Sequence, residues 1–159
     1  MVSINLFVPD CREALAFYGQ AFGAVTVKTQ FEGKPGERFA AFTIGTDRFA
    51  MADENPEWGS KSPLTLGAAP LCIQLFVDDV KAASEQALAS GARVVAPGTE
   101  EQPIFVLPDG TTCCNVRDPF GFVWSISALC SSIKAASASS SSDRVLTSSV
   151  TLTALPLRK

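Results

Sequence analysis

Ile4-Asn5-Leu6-Phe7-Val8-Pro9-Asp10, near the start of the chain, returns near its middle as Ile73-Gln74-Leu75-Phe76-Val77-Asp78-Asp79. Leu-Phe-Val is identical in the two runs, and each run reaches an Asp. Further along, Ala21-Phe22-Gly23-Ala24 is echoed by Ala89-Ser90-Gly91-Ala92, with the spacing between copies kept to within a residue. Self-similarity at both ends of a segment marks a repeated structural unit. The residues in between have a helical pattern. In the first copy Asp10 stands where an N-cap belongs, and Glu13 follows as in a capping box, where the two carboxylates satisfy N–H groups of the first turn. Ala14, Phe17 and Ala21, flanked by Leu15, Tyr18 and Phe22, form a broad apolar face, and Gly23 ends the helix. In the second copy Asp79 caps, Val80, Ala83, Ala87 and Leu88 give a thinner apolar face, and Gly91 is the stop.

Short β-rich runs follow each helix. The first half offers 25–31, 39–44 and 48–52; the second offers 93–95, a poorly patterned stretch containing 104–107, then 111–117 and 122–127. Gly33-Lys34-Pro35-Gly36, Gly45-Thr46-Asp47, Pro108-Asp109-Gly110 and Asp118-Pro119-Phe120-Gly121 supply the turns. The order β-α-β-β-β, twice, describes an α+β domain over 1–128, with modules at about 1–56 and 71–128 and a long linker over 57–70. Residues 129–159 form a Ser-rich tail, predicted to be poorly ordered. Within it, only the alternation of Val150-Thr151-Leu152-Thr153 suits an edge strand or pairing with another chain.

The chain has 159 residues, enough for one domain with a substantial core. Its net charge is −3 and it has no basic run, which argues against a nucleic-acid partner. No apolar stretch approaches the roughly 18–20 residues that cross a bilayer. The first residues lack the basic and apolar regions of a signal peptide, so the expected location is cytoplasmic. Five cysteines without a C-x-x-C pair read as free thiols in a reducing compartment. Histidine is absent altogether, which removes Ser-His-Asp and Cys-His catalysis and every His-dependent zinc site.

The ordered set Met51-Ala52-Asp53-Glu54-Asn55-Pro56-Glu57-Trp58-Gly59, 71–80, Gly91-Ala92 and Asp118-Pro119-Phe120-Gly121-Phe122-Val123-Trp124 resembles the PhnB-like branch of the vicinal-oxygen-chelate superfamily, which includes glyoxalases, bleomycin-resistance proteins and extradiol dioxygenases. The resemblance covers about residues 1–128. It implies that the two paired modules form an open cup, completed or buttressed in a homodimer. In metal-dependent relatives the ligands come from the first strand of each module and from the last strand. By position those sites fall here at Ser3, Cys72 and Ser125, with a fourth at Met51 or Ala52. Hydroxyls, one thiol and an apolar side chain do not make a site for a divalent ion, so no metal and no cofactor are expected. Phe39, Gln74 and Phe122 stand where branch members often carry histidine, and Leu107-Pro108-Asp109-Gly110 replaces a Gly-Asp-Arg-like motif.

Strand alternation separates the faces. Ser3, Asn5 and Phe7 share one face of the first strand; Cys72, Gln74 and Phe76 share the matching face of the second; Ser125 and Ser127 alternate with Trp124 and Ile126. The aliphatic faces belong under the helices. The mixed faces belong in the cup, and Ser3, Asn5, Phe7, Cys72, Gln74, Phe76 and Ser125 are the candidate ligand-binding residues. Asn5 and Gln74 also suit a mutual hydrogen bond across the seam between modules. One of Cys113 and Cys114 faces the cup, and Arg117 either pairs with Asp118 or faces the cup. The function expected is metal-free binding of a small organic molecule. The alternatives are a lyase- or isomerase-type enzyme of the same superfamily, and a dimeric interaction protein whose cup is closed.

Overall fold

The structure is a computed structural model that describes residues 3–128, so the Ser-rich tail and Cys130 lie outside the described residues. The first module runs β1 (Ile4–Val8), α1 (Cys11–Phe22), β2 (Val25–Gln30), β3 (Phe39–Ile44) and β4 (Asp47–Asp53). The second runs β5 (Cys72–Val77), α3 (Val80–Ala89), β6 (Arg93–Val94), β7 (Ile104–Val106), β8 (Thr112–Arg117) and β9 (Val123–Ala128). The sheets order as β1-β4-β3-β2 and β5-β9-β8-β6, with β7 also on β8. In each, the first strand lies parallel to the last and the others are antiparallel. The repeat is therefore topological as well as textual.

Both modules depart from their pattern where the chain turns. β6 and β7 together occupy the edge that β2 fills alone in the first module, because a tight loop interrupts the strand after Val95. Within that loop Thr99 N–H bonds the Gln102 carbonyl. The expected linker is also more ordered than its composition suggests. Asn55 and Ser62 cap a 3₁₀ turn (Pro56–Trp58) and a short helix, α2 (Pro63–Leu66), each with proline in its first turn. Pro63 is buried and packs on the 118–121 turn, where a Cβ at Gly121 would come within 2.9 Å of its Cβ.

The two aspartate N-caps form as the sequence suggests, whereas the Glu13 carboxylate makes no return bond to Asp10 N–H and α3 is capped at its end by Ser90, one residue before Gly91. Asp10 Oδ1 accepts from the N–H of Arg12 and Glu13, and Asp79 Oδ1 from that of Ala82. Gly23 takes the left-handed conformation (φ 66°) that ends α1. α1 and α3 pack on each other, and the aliphatic faces of both sheets close around them. Leu6, Val8, Phe42, Met51, Trp124 and Ile126 are almost wholly buried in a single core that spans the modules. At its centre Trp124 lies 5.5 Å from Tyr18, 4.5 Å from Phe22 and 6.1 Å from Phe49, ring centre to ring centre.

Two buried carboxylates lock this arrangement. Asp118 accepts from Phe120 and Phe122 N–H on Oδ1, and from Tyr18 Oη–H and Trp124 Nε1–H on Oδ2, all at 2.9 Å. The Tyr18 bond ties the first module to the second. Asp53, at the end of β4, accepts from Cys11 N–H (2.8 Å), Gly36 N–H (3.0 Å) and Arg38 Nε. Arg38 also holds Asp10 at 2.8 Å, so the start of α1 and the β2–β3 loop are clasped to the same strand end.

Burial alone would raise the Asp53 pKa. The two N–H groups and the guanidinium outweigh it and hold the carboxyl below its ordinary 3.8. A lowered folded-state value gives stability that is present above 3.8 and lost as pH falls through the folded-state value. Asp53→Asn is expected to lose about 3 kcal/mol at neutral pH. In urea titrations it should also flatten the acid limb of the stability curve, and an unaltered acid limb would show that other groups govern acid unfolding.

Candidate functional site

Cross-strand register turns the alternation of single strands into rows of side chains. On the mixed face of the second sheet the first row is Cys72, Val123, Arg117 and Arg93. The second is Gln74, Ser125 and Asn115, with Val95 N–H donating to the Asn115 carbonyl at its end. The third is Phe76, Ser127, Cys113 and Phe105. The rows between them, such as Ile73, Trp124 and Val116, face the core.

The middle of this face is a neutral hydrogen-bonding array. Gln74 Nε2 donates to Ser127 Oγ at 3.2 Å, and Ser127 Oγ also lies 3.3 Å from Cys113 Sγ and 3.4 Å from Ser125 Oγ. Ser127 and Cys113 are fully covered and lie in the adjacent row of the same face, where they hold Gln74 and Ser125 from the side. Gln74 is exposed, and Ser125 and Asn115 are half-buried. Asn115 Nδ2 bonds the Ala96 carbonyl at 3.2 Å, while its Oδ1, itself out of reach of solvent, has no partner among the described residues.

The mixed face of the first sheet is different in chemistry. Phe7, Ala52 and Phe39 form one row, and Asn5, Ala50 and Ala41 the next. The result is an alanine floor between two phenylalanines, with Asn5 exposed at one side. Ser3 precedes β1 and is exposed.

The seven candidate residues thus fall into two groups. Cys72, Gln74, Phe76 and Ser125 share one face, while Ser3, Asn5 and Phe7 belong to the other sheet. Phe49 of β4 meets Trp124 of β9, so the sheets confront each other with their helix-side faces, and the two mixed faces look away from one another within the chain. The Asn5–Gln74 hydrogen bond, one of the alternatives the sequence left open, does not form; Gln74 bonds Ser127 instead. Cys113 is the cysteine on the mixed face and Cys114 the one in the core. Arg117 does not pair with Asp118, whose oxygens are held inward by four donors. Asn115 and Arg93 were missed because their place depends on the β8 register, which the sequence does not state. Ser127 shares the face of Ser125 as alternation indicates, and of the two adjacent cysteines the register selects Cys113.

The sequence model of the Glyoxalase/Bleomycin resistance protein/Dioxygenase superfamily matches residues 1–126. The chain belongs to this superfamily. An uncharacterised protein of Mycobacterium bovis is 36% identical over 129 residues, covering 79% of this chain and 80% of that protein. An uncharacterised protein of Mycobacterium tuberculosis has the same identity over the same length, covering 72% of its own. Among solved structures, TioX from Micromonospora sp. ML1 superposes with a TM-score of 0.59 at 19% identity, over 82% of this chain and 96% of TioX. A bleomycin-binding protein complexed with bleomycin gives 0.57 at 19% identity, over 81% of this chain and 98% of that one. At these identities the structural matches establish the glyoxalase-type fold, two mixed sheets built from β-α-β-β-β modules.

The residues that the sequence resemblance assigns to metal positions do not offer a donor set suited to a divalent ion. Ser3 lies on the first module, Cys72 and Ser125 on the second. Met51 is wholly buried in the core, and Ala52 has no donor atom. Burial raises the Cys72 thiol above its ordinary pKa, which keeps it protonated and a poor ligand. Among the described residues no three Cys, Asp or Glu side chains are grouped to hold a metal.

Proposed function

We propose that this glyoxalase/bleomycin-resistance-like protein, of the PhnB-like branch, binds a small organic molecule on the mixed face of its second sheet without a metal ion. The observation that carries the reading is the neutral array of Gln74, Ser125 and Asn115. It offers donors and acceptors at fixed spacing and is braced by the covered Ser127–Cys113 pair in the neighbouring row. Sites for small molecules have this mixture of apolar walls and a few placed polar groups. A structural neighbour that holds bleomycin supports small-molecule binding.

A homodimer would complete the cup by setting the alanine floor and phenylalanines of one chain's first sheet opposite the polar face of its partner's second sheet, since the two faces do not meet within a chain. Closed two-fold dimers are the commonest assembly. A cytoplasmic location is supported by four free cysteines among the described residues, and no helix there is long and apolar enough to cross a membrane.

Thermal-shift screening of the full chain, repeated on Gln74→Leu, tests the reading. The variant should keep the wild-type melting temperature, because Gln74 is exposed and Ser127 retains its Cys113 and Ser125 neighbours. It should bind any hit about 5- to 150-fold more weakly, the equivalent of roughly 1–3 kcal/mol for a hydrogen bond left unmade. Unchanged affinity would move the site elsewhere. Elemental analysis of the same preparation should find no stoichiometric Ni, Zn, Mn or Fe; a tightly held ion lost on mutating Cys72 would overturn the metal-free reading.

A further inference from the structure

We propose that Arg93 and Arg117 form the anion-binding end of this site, so that its ligand is an organic acid with an apolar end and a hydrogen-bonding middle. The inference rests on the reading of the second sheet as the binding face and names the ligand class for it.

Arg93 and Arg117 are directly opposite one another across the antiparallel β6–β8 ladder, so their side chains leave the sheet on the same face. Alternation from Cys113 and Asn115 puts that face on the ligand side, and Val116, wholly buried between them in sequence, takes the other. Like charges at directly opposed positions repel, so such a pair lowers stability unless something neutralises it. Neither arginine forms an ion pair among the described residues. The ion pairs there involve Arg38 and Lys81, and Arg117's nearest carboxylate in sequence, Asp118, is turned into the core. Both arginines are exposed and free to close on a ligand. A paired guanidinium fork suits carboxylate or phosphate better than any neutral group.

The three rows give the ligand a polarity. The cationic row is followed by the amide and hydroxyl row of Gln74, Ser125 and Asn115, and then by Phe76 and Phe105. Successive rows on one face are two residues apart, about 7 Å, so the gradient spans roughly 14 Å from charge to ring. A molecule carrying an acid, then an amide or hydroxyls, then an aryl or alkyl end, matches it in order and length. The Arg117 row also holds Cys72 and Val123, which give no competing charge.

The probe is N-phenylbutanoylglycine, which has an aryl end, an amide and a terminal carboxylate, set against its neutral primary carboxamide. Titration calorimetry on the full-length wild type, Arg93→Gln, Arg117→Gln and the double variant reads both affinities. Wild type should prefer the acid by about tenfold or more, a preference that shrinks as salt is added. Each single variant should reduce it and the double variant abolish it, with affinity for the acid falling far more than affinity for the carboxamide. Without ligand, the variants should melt at or above the wild-type temperature at low salt, since a repulsive pair has been removed. Equal binding of acid and carboxamide to wild type, or an acid preference that survives the double variant, overturns this inference and leaves the binding face standing. Failure of both compounds to bind overturns the inference and counts against the binding face too.

Discussion

Asp118→Ala is expected to lose about 3–5 kcal/mol of folding stability, enough to unfold much of a marginally stable domain. The carboxylate is 4% exposed and accepts four hydrogen bonds, two from the backbone of its own turn and two from side chains. Removing it leaves two N–H groups, a phenol and an indole buried without an acceptor. Each such loss costs about 1–3 kcal/mol alone, and the four share one site, so they do not add in full. Asp118→Asn should fall between. Its amide oxygen can keep the Phe120 and Phe122 N–H groups and Tyr18 can reverse its hydroxyl, but the new NH₂ faces Trp124 Nε1–H, which only donates. Urea unfolding of the three proteins separates these cases. The pH dependence has the opposite sign to that of Asp53. Burial raises the Asp118 carboxyl above 3.8 against its donors. The stability it contributes is therefore full below 3.8 and lost as pH rises through the folded-state value. Wild type should lose stability relative to Asp118→Asn across that window; a constant difference at every pH would show that Asp118 keeps one protonation state throughout.

The parts of the fold that were legible are those that local chemistry dictates. Asp10 and Asp79 cap helices because a short carboxylate there meets orphan N–H groups, and that information lies within three residues. Leu6, Val8, Trp124 and Ile126 were assignable to the core because period two and side-chain size suffice. What was not legible depends on register and on long-range partners. The runs at 93–95 and 104–107 could be told apart, but that both line the same edge of β8 follows only from the ladders. Asp118 read as an ordinary turn residue, because its partner Tyr18 is far away in the chain. The binding face shows the same division. Gln74 and Ser125 could be placed on one side of their strands, yet their junction through Ser127, and the addition of Asn115 and Arg93, required the ladders. Nor did a single strand disclose that the two mixed faces point apart, which is a property of how the helix-side faces pack.

That packing makes Trp124 the residue on which the union of the modules depends, and Trp124→Ala is expected to lose about 3–5 kcal/mol. The side chain is wholly buried on β9 and reaches α1 through Tyr18 and Phe22, and β4 through Phe49. Its removal opens a cavity between both sheets and a helix that cannot collapse from one side, since each wall belongs to a different element. Trp124→Phe separates packing from hydrogen bonding. It keeps most of the ring area but deletes the Nε1 donor to Asp118, for an expected loss of about 1–2 kcal/mol. Combined with Asp118→Asn, it should lose less than the sum of the two, because both substitutions break the same bond. Equilibrium unfolding followed by tryptophan-independent far-UV circular dichroism gives the stabilities of wild type and the four variants. A loss below about 1 kcal/mol for Trp124→Ala would mean that the modules are held together elsewhere, with the α1–α3 contact the first place to look.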